Sequence, residues 1–292
     1  MTQRDQHDER RAVRTGLAFT AALCVAEAVG GWWTNSLALV SDAAHMVGDV
    51  AALALTLFSL WMGTRTASAS KTFGYYRAEI LAALVNGVVL WVLVVFILLE
   101  AWRRFATPPV VEGGGMLVIA TLGLVVNVVV ALRLHGHAAH SLSMRGAYLH
   151  VLNDALGSVG ALVAGGVIVA TGWTPVDALA SVVIAVLILA SSWALVREAV
   201  DVLMEAVPAH VDLDALQQCL EQVPGTVEVH DLHVWTLTTG RYALSAHAVV
   251  DGSVASDDVL AAMAGVCTRD FRVEHVTIQL EQRSRRHEEP AH

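Results

Sequence analysis

His45 and Asp49 stand four residues apart in the stretch SDAAHMVGDV, and His150 and Asp154 repeat that spacing in HVLND. In an α-helix, residues i and i+4 share a face. Each pentad therefore presents one imidazole and one carboxylate in the same direction. If the two helices pack together, two nitrogens and two carboxylate oxygens converge. Such a set, arranged as a tetrahedron, suits Zn²⁺, and its two negative charges offset the two of the ion. Both pentads lie in apolar sequence, where an ionisable side chain is costly and by default functional. In a soluble helix a single HxxxD is ordinarily a solvated pair. Two copies with identical spacing on two apolar segments favour a metal site.

Four protein ligands leave no open position, and catalytic zinc keeps one. The set therefore fits a carrier better than an enzyme, provided the helices can open to alternate sides. Histidine titrates near pH ~6.5 and binds metal only when neutral. Protons and Zn²⁺ then compete for one site, which is the basis of an antiport. No ATP motor is visible, because SASKTFG around Lys71 lacks the glycine before lysine of a phosphate-binding loop. Asp42 shares the face of Asp49, seven residues earlier. It is open whether it serves an access path or proton relay, or hydrogen-bonds a neighbouring helix. Asn153, Asn127, Asn86 and Glu27 read as inter-helix partners or cavity lining.

The elements that must hold these residues are membrane spans. Of 292 residues, 55% are hydrophobic and 15% charged, against a typical charged share of about 25%. Mean hydropathy is +0.58. Six segments reach the roughly 20 apolar residues a spanning helix needs, near 12–33, 36–62, 78–101, 114–134, 144–171 and 175–197. Tryptophans in the first joint, GWWTNS, suit a membrane interface. In TGWTPVD, Thr174 is placed to cap the sixth helix, Pro175 to open it and Asp177 to sit near its positive end. Arg10, Arg11, Arg14, Arg65, Lys71, Arg77, Arg133, Arg145 and Arg197 all fall on one side if both termini are cytoplasmic. Arg103 and Arg104 fall on the other and disagree. The charged start lacks a cleavage site and reads as a retained cytoplasmic arm, 1–11, ahead of a transmembrane domain over 12–207.

From Pro208 onward thirteen Asp/Glu face six Lys/Arg, −7 of a total of −9. That balance excludes nucleic acid as a partner, since phosphate binding needs basic patches. Leu213, Leu216, Leu220 and Val223 share a helical face. VEVHDLHVWTL, YALSAHAVV and VEHVTIQLE read as strands, with a second helix over SDDVLAAMAGVC. The order α-β-β-α-β predicts a small α+β domain over 208–282, followed by a disordered tail over 283–292. About 75 residues make a modest core, which self-association would help. Alternation puts Val276, Ile278 and Leu280 on one face and His275 and Glu281 on the other, and it places His247 on that non-core face too. His230 and His233 then point opposite ways, and either could join. These histidines hold metal or pack at a dimer contact. Arg77 and Glu79 head the third span and are placed to form a salt bridge, or Arg77 serves only as a topological anchor. Cys24, Cys219 and Cys267 form no CxxC pair.

NSLALVSDAAHMVGDV, KTFGYYRAEILAALVNG, HVLNDALGSVG, TGWTPVDALAS, VHDLHVWTLTTG and EHVTIQLE follow one another along most of the chain. In these stretches the sequence resembles the cation diffusion facilitator family, in its bacterial zinc-exporter branch. The resemblance implies an all-α six-helix transmembrane domain and a cytoplasmic metallochaperone-like, ferredoxin-like α+β domain. It further implies a homodimer in the bacterial inner membrane and Zn²⁺/H⁺ exchange, with Zn²⁺ as substrate and as a bound ion of the cytoplasmic domain. Carried onto matching positions, His45, Asp49, His150 and Asp154 are its transport site, and His230 is favoured over His233 in the tail. Members with Asp at the position of His45 tend to accept Cd²⁺ too, so His45 implies a preference for zinc. Two features depart from many relatives. A long His-rich loop is reduced to HGHAAH, with His135, His137 and His140, either a weak metal-gathering loop or a solvated turn. RTASASKTFGYY has no His, Asp or Glu, so no metal site is expected there. The rival readings are a broad Cd/Co/Ni exporter, an intramembrane metalloenzyme and a metal sensor that does not transport.

Overall fold

The structure is a computed structural model. It describes the backbone of residues 3–62, 68–138, 142–238 and 240–283, without the side chains of 3–16, 56, 59, 60, 62, 133–138 and 142–153. Six long helices come first: α1 Gln3–Thr34, α2 Leu37–Met62, α3 Tyr76–Ala106, α4 Gly113–Ala138, α5 Leu142–Thr171 and α6 Pro175–Leu203. Then follow α7 Leu213–Glu221, β1 Thr226–Thr238, β2 Arg241–Val250, α8 Ser256–Phe271 and β3 His275–Glu281. All six long helices contain a stretch long and apolar enough to cross a membrane. The segment expected as a separate N-terminal arm is, from Gln3, the first part of α1. Residues 284–292 lie outside the described residues, and with them nearly all of the expected disordered tail.

The chain divides into two compact units, one of residues 1–64 and 82–196, the other of 65–81 and 197–292. In the first, α1 packs on α2 and α4, and α5 on α4 and α2. Its core is built from Leu39, Leu90, Val94, Met116, Ala161, Ala164 and Ile188, and alanines at helix contacts let backbones approach. Outside that core, Val95, Phe96, Leu122, Val163 and Val186 are all more than half exposed. An apolar exterior of this extent is a lipid-facing surface. Asn35 turns α1 into α2 with left-handed φ 55°, and the Ser36 N–H donates back to Gly31 O at 2.9 Å, a helix C-cap. Trp32 and Trp33 beside it are 88% and 83% exposed, as interfacial residues are.

In the second unit the order α-β-β-α-β appears as expected. The sheet order is β1-β2-β3, with β1 and β2 antiparallel and β2 and β3 parallel. Asp212 caps α7 by accepting from Ala215 N at 3.1 Å. The core joins Leu216 and Leu220 of α7, Val259, Met263 and Cys267 of α8, and Val229, Leu244 and Ala246 of the sheet. The joint between α2 and α3 belongs to this unit. Arg241 donates to Tyr76 Oη at 2.7 Å, and Phe73 meets the His275 ring edge-on at 5.4 Å.

Candidate metal centres

α2 is held at its N-terminus by a carboxylate from another helix. Asp177 of α6 is 1% exposed and accepts from Ser36 Oγ at 2.6 Å, Leu37 N at 2.7 Å and Ala38 N at 3.1 Å. Ser36 Oγ in turn accepts from Leu39 N at 3.2 Å. A negative charge on free N–H groups at the positive helix end is favourable. The expectation had Asp177 serving its own helix, but it serves α2 instead. Arg104 lies 3.5 Å from Asp177 and donates to Glu100 at 3.1 Å and to Asn35 O at 2.7 Å. Arg103 pairs with Glu100 as well. The two arginines that disagree with the charge pattern are thus both paired with acidic side chains, Glu100 and Asp177.

Two turns along α2, His45 and Asp49 meet Asp154 of α5. Each of the three offers one ligand atom within 4.8 Å of the others, and His45 Nε2 lies 3.4 Å from Asp154 Oδ1. Side chains of His45 and Asp154 retain 21% and 15% exposure. The pair spacing works as the helical period dictates, since His45 and Asp49 reach the same point from successive turns. The backbone places His150 one turn before Asp154 on α5. Its side chain, like those of Asn153, His135 and His137, and like the whole of His140, lies outside the described residues. Asp42 and Glu27 are buried, 4% and 2% exposed, and Asn127 donates to Ser158 Oγ at 3.5 Å.

A second cluster joins the three strands. His230 of β1 lies directly opposite His247 of β2. Glu281 of β3 completes the group, 3.4 Å from His230 Nε2 and 3.5 Å from His247 Nδ1. Ligand atoms of the three fall within 4.8 Å of one another. His275 does not join. It pairs with Ala243 at the start of β3, six residues from Glu281, and strand rise puts it roughly 20 Å away. Alternation shared by parity is therefore not proximity. His233 also differs from the expectation. The register jumps between His230 and His233, and Asp231 adopts a left-handed φ of 50°. This bulge puts His233 opposite Ser245, on the face that carries His230 and His247. Asp231, which the sequence reading passed over, lies 2.9 Å from His233 Nε2 and 3.9 Å from His247 Nε2. HD in a strand with broken alternation was its signal.

Cys267 faces the tail core, where burial pushes its thiol up to about 11. It remains a neutral packing group and not a ligand. Arg77 pairs with Glu205 at 2.6 Å, not with Glu79. Glu79 accepts from Thr238 Oγ1 at 2.9 Å, so its carboxylate is turned to the tail domain.

Residues 13–204 match the cation efflux transmembrane domain, and residues 208–283 the cytoplasmic domain of cation efflux proteins. The chain belongs to the cation efflux, or cation diffusion facilitator, family. The metal cation efflux system protein CzcD of Cupriavidus metallidurans is 42% identical over 273 residues, 93% of this chain and 86% of that one. A cadmium, cobalt and zinc/H(+)-K(+) antiporter of Bacillus subtilis is 41% identical over 269 residues, covering 90% and 86%. Zinc transporter ZitB of Escherichia coli is 38% identical over 278 residues, covering 94% and 88%. This cation efflux protein is thus an integral membrane transporter and not an enzyme.

Proposed function

We propose that the protein exports Zn²⁺ from the cytoplasm in exchange for inward protons. Its transport site would consist of His45, Asp49, His150 and Asp154. The observation that carries this reading is the convergence of His45, Asp49 and Asp154 from two neighbouring spans. Two imidazoles and two carboxylates bind Zn²⁺ in a tetrahedron and neutralise it inside the bilayer. When the site faces the acidic side, protons take the imidazoles and zinc leaves. When it faces the cytoplasm, zinc displaces the protons. α2 and α5 bring the ligands from separate helices, so a change in their packing opens or closes the site.

The chain would act as a homodimer in the bacterial inner membrane, with both termini and the 208–282 domain in the cytoplasm. His230, His247 and Glu281 would hold a Zn²⁺ in that domain, with His233 and Asp231 alongside. Two histidines and a carboxylate fit such an ion. Metal bound there favours one arrangement of the tail domains and shifts the population of transporter states.

A second reading is export of several divalent ions. Relatives named for cadmium, cobalt and zinc, and a donor set of two nitrogens and two oxygens, support it. One experiment covers both. Proteoliposomes with the cytoplasmic face outward and an acidic lumen are expected to take up Zn²⁺, and a protonophore abolishes the uptake. Competing Cd²⁺ and Co²⁺ in the same assay rank the ions. Uptake indifferent to the pH gradient contradicts the exchange, and uptake unchanged in His45→Ala contradicts the site.

A further inference from the structure

Glu27 of α1 is 2% exposed, and its Oε2 has no hydrogen-bond partner among the described residues. Its carboxylate is aimed into the gap between α4 and α5. A Cβ on Gly123 of α4 would lie 2.7 Å from Glu27 Oε1 and 3.3 Å from Ser158 Oγ of α5. Asp42 of α2 points at the same gap, where a Cβ on Gly157 would strike its Oδ1. Asn127 and Ser158, 8% and 1% exposed, are bonded to each other there. Two glycines thus leave the room that two buried carboxylates occupy.

No lysine or arginine compensates them, and the imidazole of His45, which acts on Asp42, is already paired with Asp154. Residues 15–64, 113–132 and 146–196 contain no lysine or arginine. A buried carboxylate without a hydrogen-bonding partner is costly, so Glu27 calls for a cation, and Asp42 adds a second carboxylate beside it. The position says which one. Asp42 precedes His45 by three residues, and Ser158 follows Asp154 by four. With 1.5 Å of rise per residue, the group sits about 5–6 Å from the triad, toward the end of the bundle where α1 turns into α2. In the orientation proposed above, that is the outward side. Carboxylate, amide and hydroxyl oxygens without imidazole hold a divalent ion by hard donors only.

We propose that Glu27, Asp42, Asn127 and Ser158 form a second intramembrane site for the divalent cation, an oxygen-only release station one helical turn outward of His45 and Asp154. The station rests on the reading of the triad as transport site. Two divalent ions this close repel each other, so the station accepts the ion as the triad gives it up, and an arriving ion displaces the one before it.

Cobalt binding to the full-length protein tests this, in a His230→Ala/His247→Ala background that removes the tail cluster. Tetrahedral Co²⁺ absorbs strongly and six-coordinate Co²⁺ weakly, so the two sites are separable in one titration. The parent is expected to show a tight, intense phase followed by a weaker, pale one. Glu27→Gln and Asp42→Asn are expected to weaken the pale phase at least tenfold, with the intense phase kept and maximal zinc flux reduced about tenfold. Glu27→Asp, which keeps the charge, restores the pale phase. A pale phase unchanged in Glu27→Gln and Asp42→Asn overturns the station. So does a parent that shows the intense phase alone, a result independent of how any Glu27 or Asp42 variant folds. A parent without the intense phase overturns the triad instead.

Discussion

His45 and Asp154 face each other at 3.4 Å across two helices, whereas His230 and Glu281 meet at 3.4 Å within one sheet. The donors are alike and the scaffolds are not. Ladder hydrogen bonds and a shared core fix β1, β2 and β3 side by side, so the tail cluster cannot open without breaking the sheet. α2 and α5 touch through side chains only, each completing its own backbone hydrogen bonds. Separating the helical pair therefore breaks no ladder hydrogen bond, and its ligands keep some exposure while His230 and Glu281 have almost none. On the function proposed above, the site that releases its ion lies between helices and the one that keeps it lies in a sheet.

Exchanging charge for amide in the helical site gives the largest effect. Asp49→Asn or Asp154→Asn is expected to lower zinc flux by roughly two orders of magnitude, since even outer-shell partners of a metal are worth about 10–100-fold. Flux near the parent's value would break the distinction at its first half. In the tail, His230→Ala with His247→Ala is expected to remove the bound metal, lowering affinity by about 10–100-fold, while flux drops by much less. Equilibrium dialysis and flux on the same preparation check the pair. Equal losses in both assays would make the tail cluster part of the transport path.

Cys267 reports on the rigidity of the sheet domain, whose core buries it. With its thiol pushed up to about 11, about one molecule in a thousand is thiolate at pH 8, so maleimide labelling of Cys267 is expected only after unfolding. The unfolded thiol ionises first as pH rises, so this group's contribution to tail stability is present below pH 9 and is lost between about 9 and about 11. Rapid labelling of Cys267 in the native protein at pH 8 would mean a tail core that opens. The smallest effect is expected for Arg77→Ala. Arg77 and Glu205 are 41% and 57% exposed, and an exposed pair of this kind is worth about 0–1 kcal/mol. A thermal shift larger than that predicts would make the Arg77–Glu205 pair, and not only the contacts of Phe73 and Tyr76, a structural part of the joint between α2 and α3.

Much of this was legible in the sequence because it repeats. Six apolar stretches, two pentads of identical spacing and a strand–helix alternation each impose a period, and a period fixes which side chains share a face. His45, Asp49 and Asp154 converge for that reason. What breaks the period was illegible. The bulge at Asp231 carried His233 to the other face, and only a backbone with left-handed φ shows it. His275 has the right parity and the wrong end of the strand. Asp177 sits in a joint, and no periodicity tells that it serves α2 rather than its own helix. The partner of Arg77 is Glu205, 128 residues away, beyond the reach of local spacing.

A single ion is expected between α2 and α5, held by two imidazoles and two carboxylates. X-ray absorption at the zinc edge tests it most directly, on full-length protein lacking the tail histidines and loaded with one equivalent of Zn²⁺. Four nitrogen or oxygen neighbours at about 2.0–2.1 Å are expected, with imidazole scattering that is weakened in His45→Ala. A spectrum with sulfur, or with six oxygens and no imidazole, or one unchanged in His45→Ala, would contradict it.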